Sequence, residues 1–167
     1  METDRLILRK WSEDDADALY KYASDPKVSE LALWDCHTSV DMSREVISRF
    51  FLPNPHLFAI VHKDTNEPIG CIGLVPEEDS HHPLLPNEKE VGYWIGRPHW
   101  NNGLTTEALD IFISYCRDNL HLDSLLITTD EKNKASQRVA QKNGFIFLED
   151  YIYDGIPSKA FRLQLNR

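Results

Sequence analysis

Glu90-Val91-Gly92-Tyr93-Trp94-Ile95-Gly96-Arg97-Pro98-His99-Trp100-Asn101-Asn102-Gly103-Leu104-Thr105-Thr106-Glu107-Ala108 carries the reading of the fold. Strand character runs from Glu88 to Ile95, and Gly103 lies in the turn that follows. A helix then begins near Thr105-Thr106-Glu107, and Ala108, Leu109, Phe112, Ile113 and Cys116 recur along it as one apolar face. The start of such a helix presents N–H groups without intrahelical partners and the positive end of the helix dipole, which together suit a pyrophosphate. A glycine before a helix also serves as a plain connection, so the turn by itself assigns no ligand.

Towards the amino terminus, Ile69 to Val75 and Leu57 to Val61 are two apolar runs of strand length joined by the turn residues Asp64-Thr65-Asn66-Glu67-Pro68, a hairpin signal. Leu6 and Leu8 mark a further short strand, and Ser12-Glu13-Asp14-Asp15 opens a helix through Leu19 and Tyr22 that Asp25-Pro26 should end. Thr38 with Asp41 starts a second helix, followed by Met42, Val46, Ile47 and Phe50 until Pro53. Pro76 to Asn87, with three prolines, reads as an exposed polar loop. Towards the carboxyl terminus, Leu125 to Thr129 is a strand, and Ala135 to Asn143 a helix that Gly144 stops. Phe145 to Leu148 and Ala160 to Leu165 are two last strands around Asp154-Gly155. Strands interleaved with helices predict an α/β (α+β) fold built on one mixed sheet.

The chain has 167 residues, 41% hydrophobic and 27% charged, which predicts a single domain over 1–167. At this length roughly 70% of the unfolded surface is buried, so a core forms without disulfide or metal staples. Eighteen Lys and Arg against 27 Asp and Glu leave a net charge of −9, which repels phosphate backbones and argues against a nucleic-acid partner. Cys36, Cys71 and Cys116 form no CxxC pair and read as reduced thiols. The segment Met1-Glu2-Thr3-Asp4-Arg5 has no signal character, and no stretch approaches the ~18 apolar residues of a membrane span. A cytoplasmic location without membrane contact is expected, and a homodimer is compatible with the sequence.

Asn133-Lys134-Ala135-Ser136-Gln137-Arg138-Val139-Ala140-Gln141-Lys142-Asn143-Gly144-Phe145 narrows this reading. It resembles the GNAT acyltransferase superfamily, and within it the RimJ/RimL-type N-acetyltransferases. The resemblance extends to Thr3-Asp4-Arg5-Leu6-Ile7-Leu8-Arg9, to Glu90 through Ile95, and to Trp100 through Ala108. It implies a GNAT fold, with a mixed central sheet splayed at an acetyl-CoA cleft and helices on both faces, and acetyl transfer to an amine. It further implies that the pyrophosphate lies on Trp100, Asn101, Asn102, Gly103, Leu104, Thr105 and Thr106. The pantetheine would pair with the backbone at Trp94 and Ile95, and Asn133 would hydrogen-bond it. Two departures stand out. The family turn commonly has a second glycine, a basic residue between the glycines and an alanine, where this chain has Asn101, Asn102 and Thr105; and Ala140 stands where many members have a tyrosine acid. Asparagine accepts positive φ better than other non-glycine residues, so the turn can still form, without the favourable charge.

Acetyl transfer requires a neutral nitrogen, donors for the carbonyl oxygen and a proton for the departing thiolate. Glu90 is the candidate base, acting through a water, with a solvated strand-end charge as the alternative. Ser136 is the candidate acid and a further cofactor contact, matching the family serine near the sulfur; the alternative is a helix-start hydroxyl bonded to backbone. Trp34 and Asp35 fall in the region that in this family lines the acceptor side, where an aromatic beside a carboxylate suits an ammonium group; packing alone would also explain Trp34. His81-His82 has the residue type of a metal ligand but not a defined set, so no metal is expected and a solvent-exposed pair is the simpler reading. The expected partner is a small-molecule or peptide amine. A protein amino terminus, a polyamine or aminosugar, and a non-catalytic acyl-CoA-binding module remain the competing functions.

Overall fold

The computed structural model describes residues 1–165. Among them the strands are β1 (Leu6–Arg9), β2 (Leu57–His62), β3 (Glu67–Leu74), β4 (Glu88–Ile95), β5 (Ser124–Asp130), β6 (Ile146–Tyr153) and β7 (Ile156–Gln164). The helices are α1 (Ala16–Ala23), α2 (Pro26–Ala32), α3 (Val40–Val46), α4 (Leu104–Asp118) and α5 (Lys134–Lys142). The strand order is β1-β2-β3-β4-β5-β7-β6 in one mixed sheet. The chain divides into two compact units, Met1–Gly73 with Tyr93–Ala108, and Leu74–Gly92 with Leu109–Arg167.

In the first unit β1 and β3 both run antiparallel to β2, with Leu6 opposite His62 and Leu57 opposite Gly73. Gly70 lets β3 meet the end of β4 closely, since a Cβ there would lie 2.4 Å from the Trp94 carbonyl oxygen. Trp11, Ala16, Leu19, Ala23, Ile47, Ala59, Val61 and Cys71 form the core of this unit. The Ser12–Asp15 capping box is present, and Asp15 is also gripped by both terminal guanidinium nitrogens of Arg9 at 2.8 and 2.9 Å. Asp25-Pro26 does more than end a helix. Asp25 caps α2 through the Lys27 N–H and Pro26 takes its first turn, where a missing N–H costs nothing. The helix expected from Thr38 is capped one residue later, by Ser39, whose hydroxyl accepts from the Met42 N–H at 3.0 Å. Its last turn widens to a π-turn over Ile47–Phe51.

In the second unit β4 and β5 run parallel, pairing Glu88 with Ser124, Lys89 with Leu125 and Glu90 with Leu126. β7 lies antiparallel between β5 and β6. Leu109, Phe112, Cys116, Leu125, Leu126, Ala140 and Phe161 are fully buried here. β6 and β7 are longer than the sequence indicated. β6 is the edge strand and exposes most of both faces, including Ile146 and Ile152, so no alternation of apolar and polar residues announces it. The connecting turn is as read, with Asp154 at φ 48° and Gly155 at φ 77°, the pairing that matches hairpin twist.

Candidate active site

In the first unit the turn after β4 is built as its residues dictate. Arg97–His99 makes a single 3₁₀ turn, and the indole of Trp100 donates to the Ile95 carbonyl at 2.8 Å, folding the chain back on β4. Asn101 takes φ 61° and Gly103 φ 75°, so asparagine does accept the left-handed path that glycine commonly supplies. Leu104 is buried and anchors the first turn of the 15-residue α4, while Asn101, Asn102 and Gly103 are exposed and Thr105 and Thr106 half-buried. A Cβ built on Gly103 would meet no heavy atom nearer than an Arg5 nitrogen at 3.6 Å, so the space beside the turn is open. Open space at the start of a long helix fits a pyrophosphate.

Trp34 lies in the same unit, edge-on to Trp94 with ring centroids 5.6 Å apart and 5.5 Å from the His37 ring. Leu33, in the left-handed conformation at φ 61°, ends α2 and turns the chain at this point. The aromatic assigned to the acceptor thus touches a residue assigned to the cofactor, and Trp34 also packs on the core. Asp35 is exposed. Behind Trp34, His37 Nδ1 and the Ser43 hydroxyl are 2.7 Å apart, and burial pushes the His37 imidazole pKa down.

The second unit holds two β4 carboxylates two residues apart, hence on one face. Glu88 is held by Arg162 at 2.6 and 3.1 Å, the Ser124 hydroxyl at 2.7 Å and the Leu85 N–H at 2.9 Å. Burial alone would raise its pKa, but Arg162, Leu85 and Ser124 hold the carboxyl below the ordinary range. Glu90 differs. It is only 3% exposed, so it is not a solvated strand-end charge, and its hydrogen-bond donors are all uncharged. Ser80 Oγ donates to Oε2 at 2.7 Å, the His81 N–H to the same oxygen at 2.8 Å, and Thr128 Oγ1 to Oε1 at 2.5 Å. Glu88 is locked in an ion pair, whereas Glu90 is held by neutral hydrogen-bond donors.

Those donors explain why the Pro76 to Asn87 loop is not simply exposed. Ser80 and His81 are drawn in to Glu90, and the histidine pair follows. The His81 ring stacks on Tyr153 at 4.1 Å, and His82 Nε2 lies 2.7 Å from Glu149, so the two are half-buried against β6 rather than solvated. A groove of about 750 Å³ runs along this loop, with Ser80, His81, Leu84 and Tyr153 in its lining. Among the described residues no cluster of His, Cys, Asp or Glu could hold a metal ion. Sequence reasoning missed Ser80, Thr128 and Tyr151. The Tyr151 hydroxyl is buried with Thr128 nearby, yet makes no hydrogen bond of normal geometry among the described residues, and burial pushes its pKa up to about 12. No local motif marks these three residues, because the path of the Pro76 to Asn87 loop and the strand pairing together collect them.

Asn133 caps α5 in the same unit, its side-chain oxygen accepting the Ser136 N–H at 3.1 Å. Ser136 is half-buried on the first turn of α5, and Ala140, where a tyrosine was absent, is a fully buried packing residue. No helix of the described residues is long and apolar enough to cross a membrane.

Comparisons with known proteins show an acetyltransferase class. The Acetyltransferase (GNAT) domain matches residues 5–146, and the chain belongs to that family. It is 31% identical over 160 residues to the uncharacterized N-acetyltransferase p20 of Bacillus licheniformis, covering 89% of this chain and 85% of that protein. With the uncharacterized N-acetyltransferase YoaA of Bacillus subtilis it shares 30% over 165 residues, 94% of this chain and 90% of the relative. A shorter match, 32% over 62 residues, covers 37% of this chain and 35% of a ribosomal-protein-serine acetyltransferase of Escherichia coli, in keeping with the RimJ/RimL type. Two solved structures share the fold. One is the microcin C7 self-immunity acetyltransferase MccE in complex with acetyl-CoA and AMP (TM-score 0.79, 18% identity, 97% of this chain and 93% of that one). The other is a spermidine N-acetyltransferase from Vibrio cholerae in complex with CoA and spermine (TM-score 0.77, 15% identity, 98% and 97%).

Proposed function

We propose that the chain is an N-acetyltransferase that moves an acetyl group from acetyl-CoA to a primary amine, carried by a protein amino terminus or by a small molecule. The observation that carries this reading is the open left-handed turn at Asn101 and Gly103 leading into α4, in a chain of the GNAT family. Acetyl-CoA would supply the activated thioester. The turn from Trp100 to Thr106 holds its pyrophosphate, N–H groups near Trp94 and Ile95 orient the pantetheine and polarise the carbonyl oxygen, and the Asn133 amide bonds the pantetheine. The Ser136 hydroxyl holds the proton needed by the departing thiolate. Glu90 accepts, through a water, the proton that an ammonium group must lose before it attacks. Trp34 and Asp35 receive that ammonium group by ring face and charge.

The net charge of −9 and the fold shared with a spermidine N-acetyltransferase favour a cationic small molecule, such as a polyamine or aminosugar. The match to a ribosomal-protein-serine acetyltransferase favours a protein amino terminus. A cytoplasmic place of action agrees with three free cysteines. A thiol-release assay with acetyl-CoA across peptides, polyamines and aminoglycosides tests the proposal. Release with one class names the acceptor. Acetyl-CoA binding without release for any amine would instead make the chain an acyl-CoA-binding module, the reading that Thr105 and Ala140 support.

A further inference from the structure

The turn sequence carries no cation, yet the folded turn has one beside it. Arg5, just before β1, donates through Nη1 to the Asn102 carbonyl at 2.9 Å. Its Nε and Nη2 lie 2.7 and 2.6 Å from Oε2 of Glu107 in the first turn of α4. The other Glu107 oxygen accepts the Arg5 N–H at 3.0 Å and the Thr3 hydroxyl at 2.5 Å. A guanidinium has five N–H donors and these contacts engage three, leaving donors for a phosphate oxygen. Nη2 is 3.6 Å from the point a Gly103 Cβ would occupy, so the charge borders the open side of the turn. The Arg5 side chain is 45% exposed, which a buried structural pair would not be.

We infer that Arg5 is a phosphate-binding residue of the acetyl-CoA site, supplying from the start of β1 the positive charge that the turn lacks, while Glu107 aims its guanidinium and partly neutralises it. This rests on the turn being the pyrophosphate site. Arginine suits the task because its planar fork can bond a carboxylate along one edge and a phosphate along another. Glu107 is favourable to the helix dipole but repels an incoming phosphate, so the two members of the pair have opposite effects on the ligand.

Calorimetric Kd values for CoA, with a thermal melt of each variant, test this. Arg5→Gln should weaken CoA roughly 5- to 20-fold, as expected for one partly exposed charged hydrogen-bond partner. It should also make binding less sensitive to salt, and leave the KM for S-acetyl-pantetheine, a donor without pyrophosphate, unchanged. Arg5→Lys, which keeps the charge and loses the fork, should fall between and serves if the glutamine variant folds poorly. Glu107→Gln should lower Tm yet tighten CoA roughly two- to fivefold, since it removes a negative charge near the phosphates. If Arg5 merely ties the chain before β1 to α4, Arg5→Gln and Glu107→Gln break the same tie and weaken CoA alike, which overturns the inference. Gly103→Val separates the two levels. Unchanged CoA affinity in a folded Gly103→Val protein removes the turn from the site and the inference with it. A loss in Gly103→Val without one in Arg5→Gln removes the Arg5 role alone.

Discussion

Replacing Glu90 by glutamine removes a charge while keeping nearly every atom, and the structure says how the site would absorb it. Ser80 and His81 donate to one carboxylate oxygen at 2.7 and 2.8 Å, and Thr128 donates to the other at 2.5 Å. A glutamine keeps its oxygen towards Ser80 and the His81 N–H, which can only donate, and turns its NH₂ to Thr128, whose hydroxyl rotates to accept. Every partner stays satisfied, so the stability loss is confined to exchanging charged for neutral hydrogen bonds, about 1 kcal/mol. Glu90→Ala would instead strand these donors around a position only 3% exposed. That loss should be about 3 kcal/mol or more. The glutamine variant is therefore the clean probe. As the proposed base, Glu90 would contribute roughly 10²- to 10⁴-fold to turnover, which Glu90→Gln should lose near pH 7 while calorimetry finds acetyl-CoA affinity intact. Rising pH deprotonates more of the free amine and should partly restore the rate. A Glu90→Gln pH–rate profile with the wild-type shape and height would refute the reasoning and leave Glu90 as a buried hydrogen-bond acceptor.

Ser136→Ala should lower kcat with little change in acetyl-CoA affinity, and equal kcat values with chemistry rate-limiting would end its role as proton donor. Asn133→Ala should raise the KM for acetyl-CoA and also cost about 1 kcal/mol in a thermal melt, because the same side chain caps α5. Arg162→Met should destabilise the protein by about 3–5 kcal/mol at pH 7, leaving the Glu88 carboxylate buried without its cation. The folded-state pKa of Glu88 lies below its ordinary 4.5, so its contribution is present above that pH and is lost as pH falls through the folded value. Denaturant melts from pH 7 down into that range should show this loss in the wild type and its attenuation in Arg162→Met.

Local chemistry was legible in the sequence wherever one residue sets its own backbone. Ser12 and Asp15 cap a helix, Asp154-Gly155 turns a hairpin, and Asn101 with Gly103 enters the left-handed region, because each outcome depends on neighbours within a few positions. The family motifs from Glu90 to Ala108 and from Asn133 to Phe145 are likewise contiguous, so the fold could be read from them. Asp25-Pro26 was half legible, since the same pair that stops one helix can start another. What the tertiary structure decided is which groups meet across the chain. Glu90 takes a donor ten residues away in Ser80 and another 38 away in Thr128. Arg5 reaches Glu107 over 102 residues. No spacing rule spans such separations, because sheet register and helix packing set them, and a shift of one residue in β4 would turn Glu90 to the opposite face. The residue types of the candidate chemistry are therefore written in the sequence, while the pairing of Glu90 with neutral donors, of Glu88 with Arg162, and of the cation-free turn with Arg5 exists only once the sheet has formed.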